Sequence, residues 1–329
     1  MNTTEQTGGH GEQATGAAQG FGGIAAHLVY GIVGLGLMGG SLAKALRAFV
    51  LNATAPADSS DLPGQARGKI LALDVNKASL EQAAHSGVID EGFLADGSPH
   101  SGKARDTLTR CDVVFVCLYP RATIGFLKWH RADFKTGALV TDISGVKAAL
   151  ATELPALIRG DVDFIAGHPM AGSEKEGYAY ASEAIFAGRN YILMPQPQNT
   201  QAHLVFFKRL VRAIGFTRVI ETDYATHDRK IAFTSQLCHI IASALVDSAE
   251  DTRVTAFGGG SFEDLTRIAM INAPLWTELF LANREALSAH IESFERSLAD
   301  MKRLIVEGDS ARLTEKLENV RAKRSAMQS

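Results

Sequence analysis

One histidine is the natural starting point for chemistry in this chain. His168 stands in Gly167-His168-Pro169-Met170-Ala171-Gly172-Ser173-Glu174, directly after the apolar stretch Phe164-Ile165-Ala166. At a strand exit, between glycine and proline, its side chain is its main reason to be there. A neutral imidazole accepts a proton from an alcohol as hydride leaves the same carbon, and an ordinary pKa of about 6.5 suits that work at neutral pH.

The acceptor for such a hydride is implied upstream. Gly34-Leu35-Gly36-Leu37-Met38-Gly39 reads GxGxxG between an apolar run at 28–33 and a helical pattern from Ser41. In that context the first glycine allows a tight turn, the second lets the backbone approach a pyrophosphate, and the third lets helix and strand pack closely. Gly34, Gly36, Leu37, Met38 and Gly39 are therefore expected to bind a dinucleotide. Asp74 ends the apolar KILALD run, further along than the usual ~20 residues after the glycines. A polar insertion at 52–68 accounts for the excess. An aspartate here hydrogen-bonds ribose hydroxyls and repels a 2′-phosphate, which favours NAD over NADP; alternatively it caps the next helix. Leu118 and Tyr119, after the VVFVCL run, are expected to line the cofactor at the carboxyl end of the sheet.

Three further positions leave two readings each. Ser144, in Thr141-Asp142-Ile143-Ser144-Gly145-Val146-Lys147, either reaches the nicotinamide or substrate hydroxyl or caps the following helix. His227 shares a helical face with Ile231, Thr234 and Cys238, which is either core or ligand surface. Arg267 lies in an apolar context, where it either holds a substrate carboxylate or pairs with Asp264.

The elements that must position these residues are legible as short apolar runs at 69–73, 113–118, 138–142, 163–166 and 190–194, with helical patterns between several of them. Strands alternating with helices predict a Rossmann-type parallel sheet. Beyond PQPQNTQ the patterns are helical, at 202–214, 224–248, 262–271, 275–304 and 310–324, broken by Gly258-Gly259-Gly260. The expected fold is thus α/β: a parallel-sheet domain at 28–195, then an all-α domain at 196–329 whose wide apolar faces favour burial between subunits. Residues 1–27 read as a polar disordered tail.

The chain has 329 residues, 46% hydrophobic and 21% charged, with a formal net charge of −3. No basic field exists for nucleic acid or an anionic membrane. No apolar run reaches the ~18–20 residues of a membrane helix. The ten histidines lack metal-ligand spacing, so no metal is expected, and Cys111, Cys117 and Cys238 form no CxxC pair, which reads as reduced thiols in the cytoplasm.

GLGLMGGSLAKAL, TDISGVK, GHPMAGSEKEG, HDRKIAFTSQLCH and FEDLTRIAMINAPLWTELFLANREAL together resemble the prephenate/arogenate dehydrogenase family, in order over residues 28–305. The resemblance implies an NAD-binding domain, a helical dimerisation domain, a homodimer, and oxidative decarboxylation of prephenate, or of arogenate, on the route to tyrosine. It implies that His168 takes the ring-hydroxyl proton, that Arg267 binds a substrate carboxylate, that His227 faces the substrate side chain, and that Glu174 lies near the site entrance. The chain departs from the family pattern twice. Its serine stands one place early, as Ser144-Gly145, and Gln236 replaces the first histidine of a Ser-His-Leu-Pro-His pattern. A β-hydroxyacid dehydrogenase would need a lysine after the triple glycine, where this chain has Phe262-Glu263-Asp264.

Overall fold

The computed structural model describes residues 25–52, 67–95 and 102–327. Most of the expected tail (1–27) and of the expected insertion (52–68) lies outside the described residues.

The chain begins with alternating strands and helices: β1 (Val29–Val33), α1 (Leu37–Leu46), β2 (Lys69–Asp74), α2 (Lys77–His85), β3 (Glu91–Leu94), α3 (Gly102–Leu108), β4 (Val113–Val116), α4 (Pro120–Trp129), β5 (Leu139–Asp142), α5 (Ala148–Leu157) and β6 (Asp163–Phe164). The six strands form one parallel sheet in the order β3-β2-β1-β4-β5-β6. The order reverses between β1 and β4, which makes the carboxyl ends of those strands the ligand crevice of a doubly wound sheet. Both faces are covered, and the period of two is visible in the packing. Tyr30, Ile32, Ile70, Ala72, Val113 and Phe115 enter one core, while Val33, Leu71, Leu73, Val114 and Val116 enter the other.

A second sheet follows, with β7 (Ala166–Pro169), β8 (Asn190–Met194), α6 (Gln201–Ala213) and β9 (Arg218–Glu221). β7 runs antiparallel to β8, and β8 parallel to β9. The run expected as one strand at 163–166 is therefore shared between two sheets, and 190–194 belongs to the second. Strands β3 and β9 were not expected. β3 is a four-residue edge with a glycine, and β9 is largely exposed, so neither carries a clear apolar signal.

The rest is helical: α7 (Tyr224–Ile231), α8 (Leu237–Asp247), α9 (Gly260–Thr266), α10 (Ala273–Ala282), α11 (Arg284–Glu307) and α12 (Ser310–Ala326). A π-helical turn, Ala232–Gln236, separates α7 from α8. Its extra residue rotates the buried stripe. His227 and Ile231 are buried, but the stripe then moves to Gln236 and Leu237, leaving Thr234 and Cys238 exposed instead of on the face expected from regular helical spacing.

The chain divides into two compact units. One holds everything up to His227 together with Met270–Ala282, and the other holds Asp228–Ala269 and Asn283–Ser329. The boundary expected after Pro195 does not coincide with this division. The physical reason lies in α6, whose Phe207, Leu210 and Val211 are fully buried in the same core as Tyr30 and Phe115. Phe207 sits 5.9 Å from Phe115 and packs edge-on against Tyr191 at 5.8 Å. Phe207→Ala should therefore destabilise the sheet unit by about 3–5 kcal/mol, read as a lower urea midpoint. A surface-helix value below about 1 kcal/mol would place α6 outside that core.

Candidate active site

The site is built on a buried ion pair that the sequence reading did not assign. β5 ends at Asp142, and the turn after it brings Lys147 back over the strand end. Both side chains are fully buried, with Lys147 Nζ 2.5 Å from Asp142 Oδ2. The pair grips one residue of the neighbouring sheet from both sides. Lys147 Nζ donates to the Gly167 carbonyl at 2.7 Å, and the Gly167 N–H reaches Asp142 Oδ1 at 3.4 Å. Asp142 Oδ2 also accepts the Ser144 N–H at 2.9 Å, which shapes the turn. Gly167 must be a glycine for reasons of space, because a Cβ there would stand 2.4 Å from the Tyr191 hydroxyl oxygen. The signal in the sequence was the acid and base of TDISGVK, five positions apart on a turn; their pairing is tertiary.

His168 follows Gly167. It lies within β7, opposite Ile192, and not at the strand exit that the sequence suggested. Pleating buries its neighbours Gly167 and Pro169 and turns the half-buried imidazole the other way. Its Nδ1 lies 2.9 Å from Nε2 of His227, with the rings edge-on at 70° and 5.1 Å between centroids. Its Nε2 is 3.7 Å from where a Cβ on Gly145 would stand, so it faces the Ser144-Gly145 turn. Burial, then the neighbouring His227 and Lys147, hold the His168 pKa well below 6.5. The imidazole is therefore neutral at ordinary pH and can accept a proton.

Ser144 lies in that turn. Its hydroxyl is buried and has no hydrogen-bond partner among the described residues. It does not cap α5, whose N-cap is Lys147 without a side-chain cap bond. Tyr224, on the first turn of α7, also carries a buried hydroxyl without a hydrogen-bond partner among the described residues, and burial followed by the Asp142 charge keeps it protonated.

The glycine loop fits a dinucleotide. Gly34 has φ +93°, a conformation that favours glycine. A Cβ on Gly39 would stand 1.8 Å from the Gly34 carbonyl oxygen, whereas nothing lies within 4 Å of one on Gly36. The loop is thus tight on its inner side and open on its outer side, and Leu37 and Met38 begin α1 with no side chain capping its N-terminus. That end carries partial positive charge suited to phosphate. Asp74 braces the loop by accepting the Leu35 N–H, and its other oxygen accepts the Asn76 N–H at 2.6 Å. Asn76, not Asp74, caps α2, through the Ser79 N–H. Each Asp74 oxygen keeps a lone pair for a ribose hydroxyl. Leu118 packs beside Gly34, and Tyr119 is 43% exposed.

Helix α10 joins this rim. Asn272 Nδ2 donates to the Tyr119 hydroxyl at 3.0 Å, Glu278 accepts the Arg121 N–H, and Leu279 approaches Gly145. The structure thus brings together His168, His227 and the Ser144 turn. Glu174 is exposed in the segment after β7. Arg267 lies in the helical unit, in a short 3-10 turn after α9, where its charge, after burial, lowers the pKa of His239.

Lys147→Met should cost about 3–5 kcal/mol, since it leaves Asp142 buried and unpaired. Combining it with Asp142→Asn should recover most of that loss in chemical denaturation. A double variant no more stable than the single would mean the pair does not act as a unit.

Two family models match the chain. One, described as prephenate dehydrogenase, nucleotide-binding domain, spans residues 64–220, and the other, prephenate dehydrogenase, dimerization domain, spans 223–319. The glycine loop precedes the first match, so its assignment rests on geometry. A crystal structure of prephenate dehydrogenase from Aquifex aeolicus, in complex with hydroxyphenyl propionate and NAD+, is 32% identical, covers 92% of this chain and 98% of its own, and superposes with a TM-score of 0.77. Prephenate dehydrogenase of Lactococcus lactis is 28% identical over 90% of this chain and 77% of the relative. Cyclohexadienyl dehydrogenase of Zymomonas mobilis is 26% identical over 83% and 86%. A Rossmann-type sheet with a glycine loop, family models matching both regions and a 32% identical relative covering 92% of the chain lead to one conclusion: the chain belongs to the prephenate/arogenate dehydrogenase family of oxidoreductases.

Proposed function

We propose that this protein is an NAD-dependent prephenate dehydrogenase that converts prephenate to 4-hydroxyphenylpyruvate, carbon dioxide and NADH. The observation that carries the reading is His168: a neutral imidazole, anchored through Gly167 and aimed at the Ser144-Gly145 turn, in a chain of this family. The Aquifex relative, bound to NAD+ and a hydroxyphenyl acid, supports both the cofactor and the substrate class. Asp74 at the end of β2 supports NAD over NADP, because its carboxylate would repel a 2′-phosphate.

In the substrate, a hydride leaves the ring carbon that bears the hydroxyl. The bond to the ring carboxylate breaks, its electron pair completes the aromatic ring, and carbon dioxide departs. NAD, when bound at the glycine loop, supplies the hydride acceptor. His168 Nε2 holds the hydroxyl proton as positive charge develops on that carbon, then returns it to the product hydroxyl. Ser144, with its buried hydroxyl unengaged by the protein, is placed to contact the same hydroxyl or the nicotinamide. Aromatisation drives the step, so the protein mainly supplies positioning and one base. For Arg267 we propose substrate-carboxylate binding and for Glu174 a place at the site entrance, both on the sequence resemblance. The side chain of arogenate differs only in bearing an amine, and the relative named cyclohexadienyl dehydrogenase keeps that substrate as the second reading.

The protein works as a homodimer in this reading. The helical unit exposes Phe257 (95%), Val306 (77%), Ile305 (64%) and Leu265 (56%), and it matches the family's dimerization domain. Three free cysteines fit a reducing cytoplasm, and no described helix is long and apolar enough to cross a membrane.

NADH absorbance on mixing with NAD and prephenate, or NAD and arogenate, tests the reaction. Activity with prephenate is expected; activity with arogenate alone moves the substrate to the second reading, and silence with both overturns the assignment. His168→Asn should lower kcat on the order of 10²–10⁴-fold with NAD affinity unchanged. Because the folded pKa of His168 lies below 6.5, activity should hold from pH 8 down to 6.5 and fall only at lower pH, as the imidazole takes up a proton. An acid limb centred at or above 6.5 would remove His168 as the neutral base.

A further inference from the structure

The contact between His168 and His227 carries an inference of its own. The hydrogen bond from Nδ1 of one ring to Nε2 of the other holds a single proton, so it has two arrangements. With the proton on His227 Nε2, the proton of a neutral His168 sits on Nε2, where it cannot accept another. With the proton on His168 Nδ1, Nε2 of His168 is left bare and faces the Ser144-Gly145 turn. Only the second arrangement makes His168 a base toward that turn. We propose that His227 is a positioning residue that sets the tautomer of His168, its own Nε2 lone pair taking the Nδ1–H of His168.

The surroundings of His227 fit this task. It is 1% exposed, so solvent cannot compete for its Nε2. It sits on the first turn of α7, where its N–H is bonded to the Asp223 carbonyl and Asp223 Oδ1 accepts the Thr226 N–H at 2.8 Å. The strand that carries His168 is gripped at Gly167 by the buried pair. Both rings therefore stand on fixed backbone. Burial, then His227 and the Lys147 charge, disfavours a second proton on His168. When the substrate hydroxyl proton reaches Nε2, the Nδ1–H stays on its bond to His227, which spreads the imidazolium charge. The proton then returns to the product oxygen, and the dyad gains none. The role is distinct from the contact with the substrate side chain that the resemblance implied for His227. It rests on the reading of His168 as the base.

The test reads the tautomer directly. Long-range ¹H–¹⁵N correlation on ¹⁵N-histidine-labelled, ligand-free protein, assigned with His168→Asn, should find His168 protonated on Nδ1. His227→Gln keeps an oxygen acceptor and should retain that tautomer, with kcat within about 5-fold. His227→Leu removes the acceptor and should lower kcat on the order of 10²-fold, with KM for prephenate and Kd for NAD little changed. A His168 protonated on Nε2 in the wild type overturns the proposal, as does a His227→Leu that raises KM while kcat holds. Should the Leu variant fail to fold, the wild-type spectrum and the Gln variant still decide. If the wild type makes no NADH with either substrate, the reaction reading falls while the spectrum still settles the tautomer.

Discussion

The candidate site depends on one interaction, the buried pair between Asp142 and Lys147. Neither side chain touches water, so the two charges are tolerable only together. Their geometry links three pieces of backbone: the end of β5, the Ser144 turn, and β7 through both polar groups of Gly167. A parallel sheet and a short mixed one share no strand, so something must hold their edges in register where the histidine stands. A hydrophobic contact would slide; a charge pair with directed hydrogen bonds does not. The His168 imidazole inherits its position from this pair and its depressed pKa chiefly from burial, with His227 and then Lys147 contributing.

The same economy appears at the glycine loop. Asp74 braces the turn through the Leu35 N–H and keeps lone pairs on its carboxylate open to a ligand. A residue that supports a loop while also meeting its ligand costs little reorganisation on binding. The third glycine works by exclusion: it brings α1 so close to the Gly34 carbonyl that no larger residue fits.

Much of this was legible in the sequence, because it depends on local pattern. The glycine loop, strands β1, β2, β4 and β5, and His168 carry signals written over a few consecutive residues. What escaped was tertiary. β3 and β9 are short, and neither carries a clear apolar signal. The pairing of Asp142 with Lys147 depends on a turn whose closure no periodicity records. The His168–His227 contact joins residues 59 apart. The π-turn at Ala232–Gln236 defeated helical spacing by a single residue, enough to take Thr234 and Cys238 off the face expected for His227 and to bury Gln236, whose Oε1 accepts from Asn283. The unit boundary was missed because α6 has the same amphipathic look whichever core it faces.

Helix α10 belongs to the sheet unit, yet it is reached only after the chain has passed through most of α7–α9 and before it enters α11. Neither unit is therefore a single stretch of sequence. A recombination event with one junction, cutting after His227, would transplant a nucleotide-binding half without Asn272, Glu278 and Leu279, the residues that meet Tyr119, Arg121 and Gly145. Exchange of the helical half between relatives needs two matched junctions, or the inheritance of both halves as one gene. The order of the chain thus constrains how such an enzyme can be shuffled, by evolution or at the bench, independently of any residue that performs its chemistry.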